Sequence, residues 1–109
     1  MTDIGWTENA AGDIKSIRDY IHHDSPTYAR YVATRLYEAV GELRLFPESG
    51  RVVPERGDPA LRELIRPQNF RNPQPPYRMV YRRHAAAVDI LTIFHAARQF
   101  PQRLPGDAG

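Results

Sequence analysis

The chain has no cysteine among its 109 residues and a single lysine, Lys15. The first absence excludes a disulfide framework, cysteine-ligated zinc and a thiol nucleophile, and it fits a reducing compartment. No run approaches the roughly 18 apolar residues that a membrane span needs. The opening MTDIGWTENAAGDI carries acids where a signal peptide has a basic and then an apolar segment. A cytoplasmic protein without membrane contact is the expectation. Internal repeats, glycine-rich phosphate loops and nucleophile elbows are also missing. His22-His23-Asp24 reads as the ordinary polar end of a helix rather than as metal ligands, so no metal and no cofactor is expected.

What is present is the composition of a small globular domain, 41% hydrophobic and 26% charged. A chain this short has room for one modest core, and a core that small invites stabilisation by a partner. The charge is divided unevenly. Residues 1–48 carry five basic residues against eight acids, and residues 49–109 carry ten arginines against five acids, a net −3 followed by a net +5. Such a basic half suits an acidic protein or a nucleic acid, or is simply a solvated surface. Arginine supplies fourteen of the fifteen basic side chains, which favours bidentate contacts to carboxylate or phosphate.

Thr7 is placed to cap a helix over about residues 8–22, whose Ala10, Ile14, Ile17 and Ile21 recur at helical spacing. Ser25-Pro26 restarts a second helix to about Leu45, with Ala29, Val32, Ala33, Leu36, Val40 and Leu43 as its apolar stripe. The short link makes the pair an antiparallel hairpin. Tyr28, Tyr31 and Tyr37 on its flanks are expected to pack rather than to stack on bases. RVVPERGDP, residues 51–59, is too interrupted by proline and glycine for regular structure. LRELIR, residues 61–66, alternates as a strand does, and Pro67–Pro76, with four prolines, reads as a long loop. Tyr77–Arg82 alternates Tyr77, Met79 and Tyr81 against Arg78, Val80 and Arg82. Val88–His95 is apolar on both faces, with Val88, Ile90, Thr92 and Phe94 opposite Leu91, Ile93 and His95, as in a central strand. A single domain over residues 1–104 and a disordered tail over 105–109 are expected.

LFPESGR after the second helix, LREL in the next strand, YRMVYR, and ILTIFHAAR last, in this order and at these spacings, resemble the RelE/ParE superfamily of type II toxin–antitoxin toxins over about residues 4–101. The ending ILTIFHAAR and the stretch from FPESGR to LREL look more like the ParE branch. The resemblance implies an α+β fold: an N-terminal edge strand in a small curved antiparallel sheet, an antiparallel helix hairpin, then a three-stranded antiparallel meander packed against the helices. It also implies a plasmid-stabilisation type of module. The toxin would inhibit DNA gyrase and be neutralised by the C-terminal tail of a cognate antitoxin, with operator DNA reached only through that antitoxin. The alternatives within the superfamily are a ribosome-dependent mRNA endoribonuclease and a degenerate toxin that acts only with its antitoxin as co-repressor.

For the ribonuclease alternative, the resemblance offers Arg78 as a phosphate contact, His95 as acid or base and Glu63 as a neighbouring carboxylate. The residues themselves allow another reading: Arg78 paired with Glu63 or Asp89, and His95 hydrogen-bonded to backbone at a strand end. No tyrosine follows Tyr81, and Phe100 stands where a phenol would serve such chemistry. Partner-binding candidates are Arg62, Arg78, Arg82, His95, Arg98 and Trp6, with salt bridges at strand ends as the simpler role for Arg62 and Arg98 and core packing for Trp6.

Overall fold

A computed structural model describes residues 1–66 and 76–107. Two hydroxyls punctuate its helices. Thr7, in extended conformation, accepts from the Ala10 N–H at 3.1 Å and opens α1, Glu8–Asp24, with Glu8 in the first turn and His22 and His23 in the last. Ser25 closes α1 through its own N–H and opens α2, Pro26–Glu42, by accepting from the Tyr28 N–H at 3.2 Å. One residue thus serves as both caps, and Pro26 follows at the first helical position where its missing N–H costs nothing. The second helix stops at Glu42, short of the expected Leu45. From Leu43 to Leu45 the N–H groups turn to carbonyls three residues back, the tightened geometry common at helix ends.

The strands are β1 (Asp3–Trp6), β2 (Arg51–Val52), β3 (Leu61–Arg66), β4 (Tyr77–His84) and β5 (Ala87–His95), in spatial order β1-β5-β4-β3-β2. The meander β3-β4-β5 is antiparallel and β1 lies on the edge, both as expected. The sheet as a whole is mixed, because β1 runs parallel to β5 with Asp3 opposite Ala87 and Trp6 opposite Ile90. The direction follows from what β1 must deliver: Thr7 docks its N–H and its hydroxyl on the Ile90 carbonyl at 3.2 and 2.7 Å, which sets α1 down across the sheet. Residues 51–59 also depart from the all-loop expectation, since Arg51 and Val52 pair with Glu63 and Arg62 before Pro54 ends the ladder. The expected long loop Pro67–Pro76 lies outside the described residues apart from Pro76 itself.

Each sheet face carries its own core. Under the helices, Ala10, Ile14, Val32, Leu36 and Leu43 meet Leu64, Met79, Tyr81, Val88, Ile90 and Ile93. On the opposite face Val80, Leu61, Leu91 and Phe94 are covered by Val53, Leu104 and Phe100 from outside the central strands. Ile90 and Ile93 share the helix side although simple alternation separates them. The reason is an irregularity at Val80/Tyr81: Val80 faces Thr92 but Tyr81 faces Ile90, so Leu91 is the extra residue that resets the alternation. Leu104 is buried, and the Asp107 carboxylate accepts from the Leu104 N–H at 2.8 Å and from Arg56 at 2.8 Å, which holds residues 104–107 on the outer face; residues 108 and 109 lie outside the described residues.

Tyr81 ties the helix hairpin's exit to the sheet. Its buried hydroxyl donates to the Pro47 carbonyl at 2.9 Å and accepts from the Gly50 N–H at 3.1 Å. A Cβ on Gly50 would meet the Glu63 carbonyl oxygen at 2.6 Å and the Tyr81 hydroxyl at 2.7 Å, so only glycine lets the chain pass this close. Tyr81→Phe strands both partners and is expected to cost about 1–2 kcal/mol in urea denaturation. Gly50→Ala is expected to cost about 1–3 kcal/mol. A wild-type midpoint in either variant would mean that this crossing is not formed.

Candidate functional site

The most concentrated polar chemistry lies on the face of the sheet away from the helices. Arg78 of β4 reaches across to β3, where its Nε donates to Glu63 at 2.5 Å and its Nη2 to the other oxygen at 3.0 Å. The outer edge of the same guanidinium grips Glu55 through two further bonds, at 2.8 and 2.7 Å. Arg51 of β2 completes the group by donating to Glu63 at 2.9 Å. Two guanidiniums and two carboxylates make a neutral cluster. The Phe94 and Phe100 rings lie 5.4 and 5.1 Å from the Arg78 guanidinium carbon, within the range of cation–π attraction.

The register explains the meeting. Arg51 pairs with Glu63 in the β2–β3 ladder, and Arg78, opposite Ile65, stands two pairs along from Glu63–Val80 and so on the same face as Glu63. Glu63 is 1% exposed and Arg78 8%. Burying such charges is costly, and the cost is met here because each carboxylate accepts charged bonds on both oxygens or in bidentate form. Hydrogen bonding from Arg78 holds the Glu55 carboxyl at about 2, well below the usual carboxylate range, and Glu55 and then Glu63 raise the Arg78 guanidinium in turn.

The expected Glu63–Arg78–His95 grouping is only half assembled. His95 is paired in register with Tyr77, lies edge-on to its ring with centroids 5.6 Å apart, and accepts through Nδ1 from the Ala97 N–H at 3.2 Å. Tyr77 packs toward the helix-side core, whereas Arg78 lies over Phe94 on the other face, so adjacent residues of one strand hold Arg78 and His95 apart. Asp89, the other partner considered for Arg78, is bonded to His84 at 2.8 Å. Arg62 donates to the carbonyls of Pro59 and Gly50, and Arg82 pairs with Asp58 at 3.3 Å. Arg98 is exposed and, with Arg103, Asn9 and Asp13, lines a groove of about 490 Å³ at the end of β5. Trp6 packs on the helix-side core and against Tyr37. Tyr28 and Tyr31 are not packing residues as expected: they are exposed and stack on each other, centroids 6.1 Å apart.

Sequence reasoning missed Glu55 and Arg51, because both fall in a stretch read as loop. The one available signal was that a strand carrying Glu63 beside an arginine-bearing strand would leave Arg78 with donors to spare. It also missed Asp13. That carboxylate accepts from the Thr92 hydroxyl at 2.8 Å and the Ile93 N–H at 3.0 Å, closing the edge of β5 where β1 has ended. Among the described residues no helix is long and apolar enough to cross a membrane.

A sequence model described as "ParE toxin of type II toxin-antitoxin system, parDE" matches residues 4–100. The chain belongs to this ParE toxin family. Two curated relatives are 38% identical: Toxin RelE2 of Caulobacter vibrioides over 98 residues, covering 90% of this chain and 99% of the relative, and putative toxin Y4kP of Sinorhizobium fredii over 101 residues, covering 93% and 95%. A solved structure titled "Chromosomal ParDE TA system from P. aeruginosa" superposes with a TM-score of 0.64 at 25% identity, covering 87% of this chain and 96% of that one. The protein is thus a type II toxin of the ParE/RelE superfamily with an α+β fold, and the family implies a cognate antitoxin as partner.

In this ParE-family chain the cluster is first of all a structural tie between β2, β3, β4 and the 53–57 turn. Arg78→Ala would leave Glu63 buried without its main counter-charge and is expected to cost about 3–5 kcal/mol by chemical denaturation. Acid is expected to act on Glu55. Its folded pKa lies below the ordinary 4.5, so its stabilising contribution is complete above that value and disappears as pH falls through about 2. Glu55→Gln should therefore flatten the fall in melting temperature between about pH 4.5 and about pH 2. Parallel curves for variant and wild type would mean that the Arg78–Glu55 bond does not form.

Proposed function

We propose that this toxin inhibits DNA gyrase without carrying out bond chemistry of its own, and that its cognate antitoxin neutralises it. The observation that supports this reading over the ribonuclease one is the state of Arg78. A phosphate contact needs guanidinium donors directed at the substrate, whereas here the buried Glu63 carboxylate holds Nε and shares Nη2, and Glu55 covers the outer edge, so a phosphate would meet one carboxylate beneath it and another in its place. His95, the other member of the working pair, lies on the helix side with Tyr77. The match to the ParE family across residues 4–100 favours the same branch.

The ribonuclease reading keeps a place in the test because one relative bears the name RelE2. Purified toxin, with and without its antitoxin, is expected to block gyrase supercoiling and to accumulate cleaved plasmid, with the antitoxin reversing both. Codon-periodic cuts in ribosome-bound mRNA with supercoiling intact would sink the proposal in favour of the nuclease. If the nuclease were the answer, Arg78→Ala should abolish cleavage in the fraction of protein that remains folded. Antitoxin binding with neither activity would mark a degenerate toxin.

A further inference from the structure

The two carboxylates on Arg78 are not equivalent. The Glu63 side chain is 0% exposed and holds Arg78 and Arg51 together from below, while the Glu55 side chain is 41% exposed and covers the outer edge of the guanidinium. The turn that carries Glu55 is anchored independently of that bond. Val53 is fully buried, and the N–H groups of Arg56 and Gly57 close the turn on the Val53 carbonyl at 3.2 and 3.0 Å. Rotation of the Glu55 side chain alone would therefore uncover Nη1 and Nη2 of Arg78 without moving the backbone. The uncovered edge lies beside the Phe94 and Phe100 rings. Arg51 shares Glu63 with Arg78, and the Arg56 guanidinium lies 6.0 Å from the centroid of the same Phe100 ring.

We propose that the outer edge of Arg78 is a carboxylate-binding seat, held in cis by Glu55 and taken over by an aspartate or glutamate of an acidic segment on a protein partner. The exchange replaces one planar monoanion by another. The two hydrogen bonds of one bidentate pair are broken and two are made, the Glu55 carboxylate swings out to water, and the two guanidiniums with their two bound carboxylates stay neutral. A phosphate monoester would instead add a second negative charge above the buried Glu63 carboxylate. A phosphodiester carries the right charge but is tetrahedral, whereas the seat is now filled by a flat carboxylate that takes one bond from each Nη. The arginines around Phe100 and the net +5 of residues 49–109 draw an acidic segment toward this face.

An internal competitor lowers apparent affinity by the fraction of time the seat is open. Removing it must then strengthen binding, whereas loss of a purely structural ion pair would not. The test is fluorescence anisotropy of the full-length toxin with a labelled decapeptide alternating glutamate and glycine, and with the same peptide carrying glutamine. Glu55→Gln is expected to bind the glutamate peptide about 10-fold more tightly than wild type and to leave glutamine-peptide binding unchanged. Asp58→Asn, which removes the same charge three residues away, should alter affinity by less than about 2-fold, as general screening allows. Glu55→Asp keeps the charge but shortens the reach by one methylene. It should give an intermediate gain, and it carries the test if Glu55→Gln fails to fold. Equal affinities of wild type and both Glu55 variants would overturn the proposal. So would a decamer of oligothymidylate binding Glu55→Gln as tightly as the glutamate peptide, which would assign the seat to nucleic acid. The inference goes beyond the gyrase reading, and the peptide assay uses no gyrase, so either can fail alone.

Discussion

The guanidinium of Arg78, gripped by Glu63 from β3 and by Glu55 from the turn that precedes β3, is the interaction on which the outer half of this protein is assembled. Its five N–H groups form a rigid planar fork, and a fork can serve two carboxylates only if both lie in its plane. That requirement ties β3 to β4, and the 53–57 turn, seated by Val53, presents Glu55 to the outer edge of the fork. The aromatic faces of Phe94 and Phe100 then bring the last strand and the C-terminal segment onto the same group. A lysine there would keep the charge but lose the fork.

The two cores divide the work. Under the helix hairpin the packing is apolar and follows the stripes of α1 and α2, and here the domain gains most of its hydrophobic stabilisation. Among the described residues the opposite face is covered by Val53, Phe100 and Leu104, and charged pairs complete that cover. Arg56–Asp107 closes that cover at its end. A face built this way leaves arginines at its rim, a surface suited to recognising another protein rather than to enclosing a small substrate.

Much of the candidate site was legible in part. Arg78 and Glu63 could be paired from the alternation of LRELIR and YRMVYR alone, because two adjacent antiparallel strands put their charged positions within reach of each other. Glu55 could not, since its reach depends on the path of a turn between two prolines. His95 was grouped with Arg78 on the strength of a family likeness. Strand geometry separates them, because Arg78 faces Phe94 and His95 faces Tyr77 in neighbouring pairs of one ladder.

By itself the sequence determined the two helices, the three strands of the meander and the family. Helical spacing of apolar residues, Thr7 and Ser25-Pro26 as punctuation, and period-two strands are local patterns, written in residues a few positions apart. Only the tertiary structure decided the direction of β1, the extra residue at Leu91 that puts Ile90 and Ile93 on one side, and the seating of Leu104 and Asp107 against the sheet. These depend on contacts between residues far apart in the chain. Such contacts are chosen by packing and by the need to pair buried backbone and charge, and no local period records them.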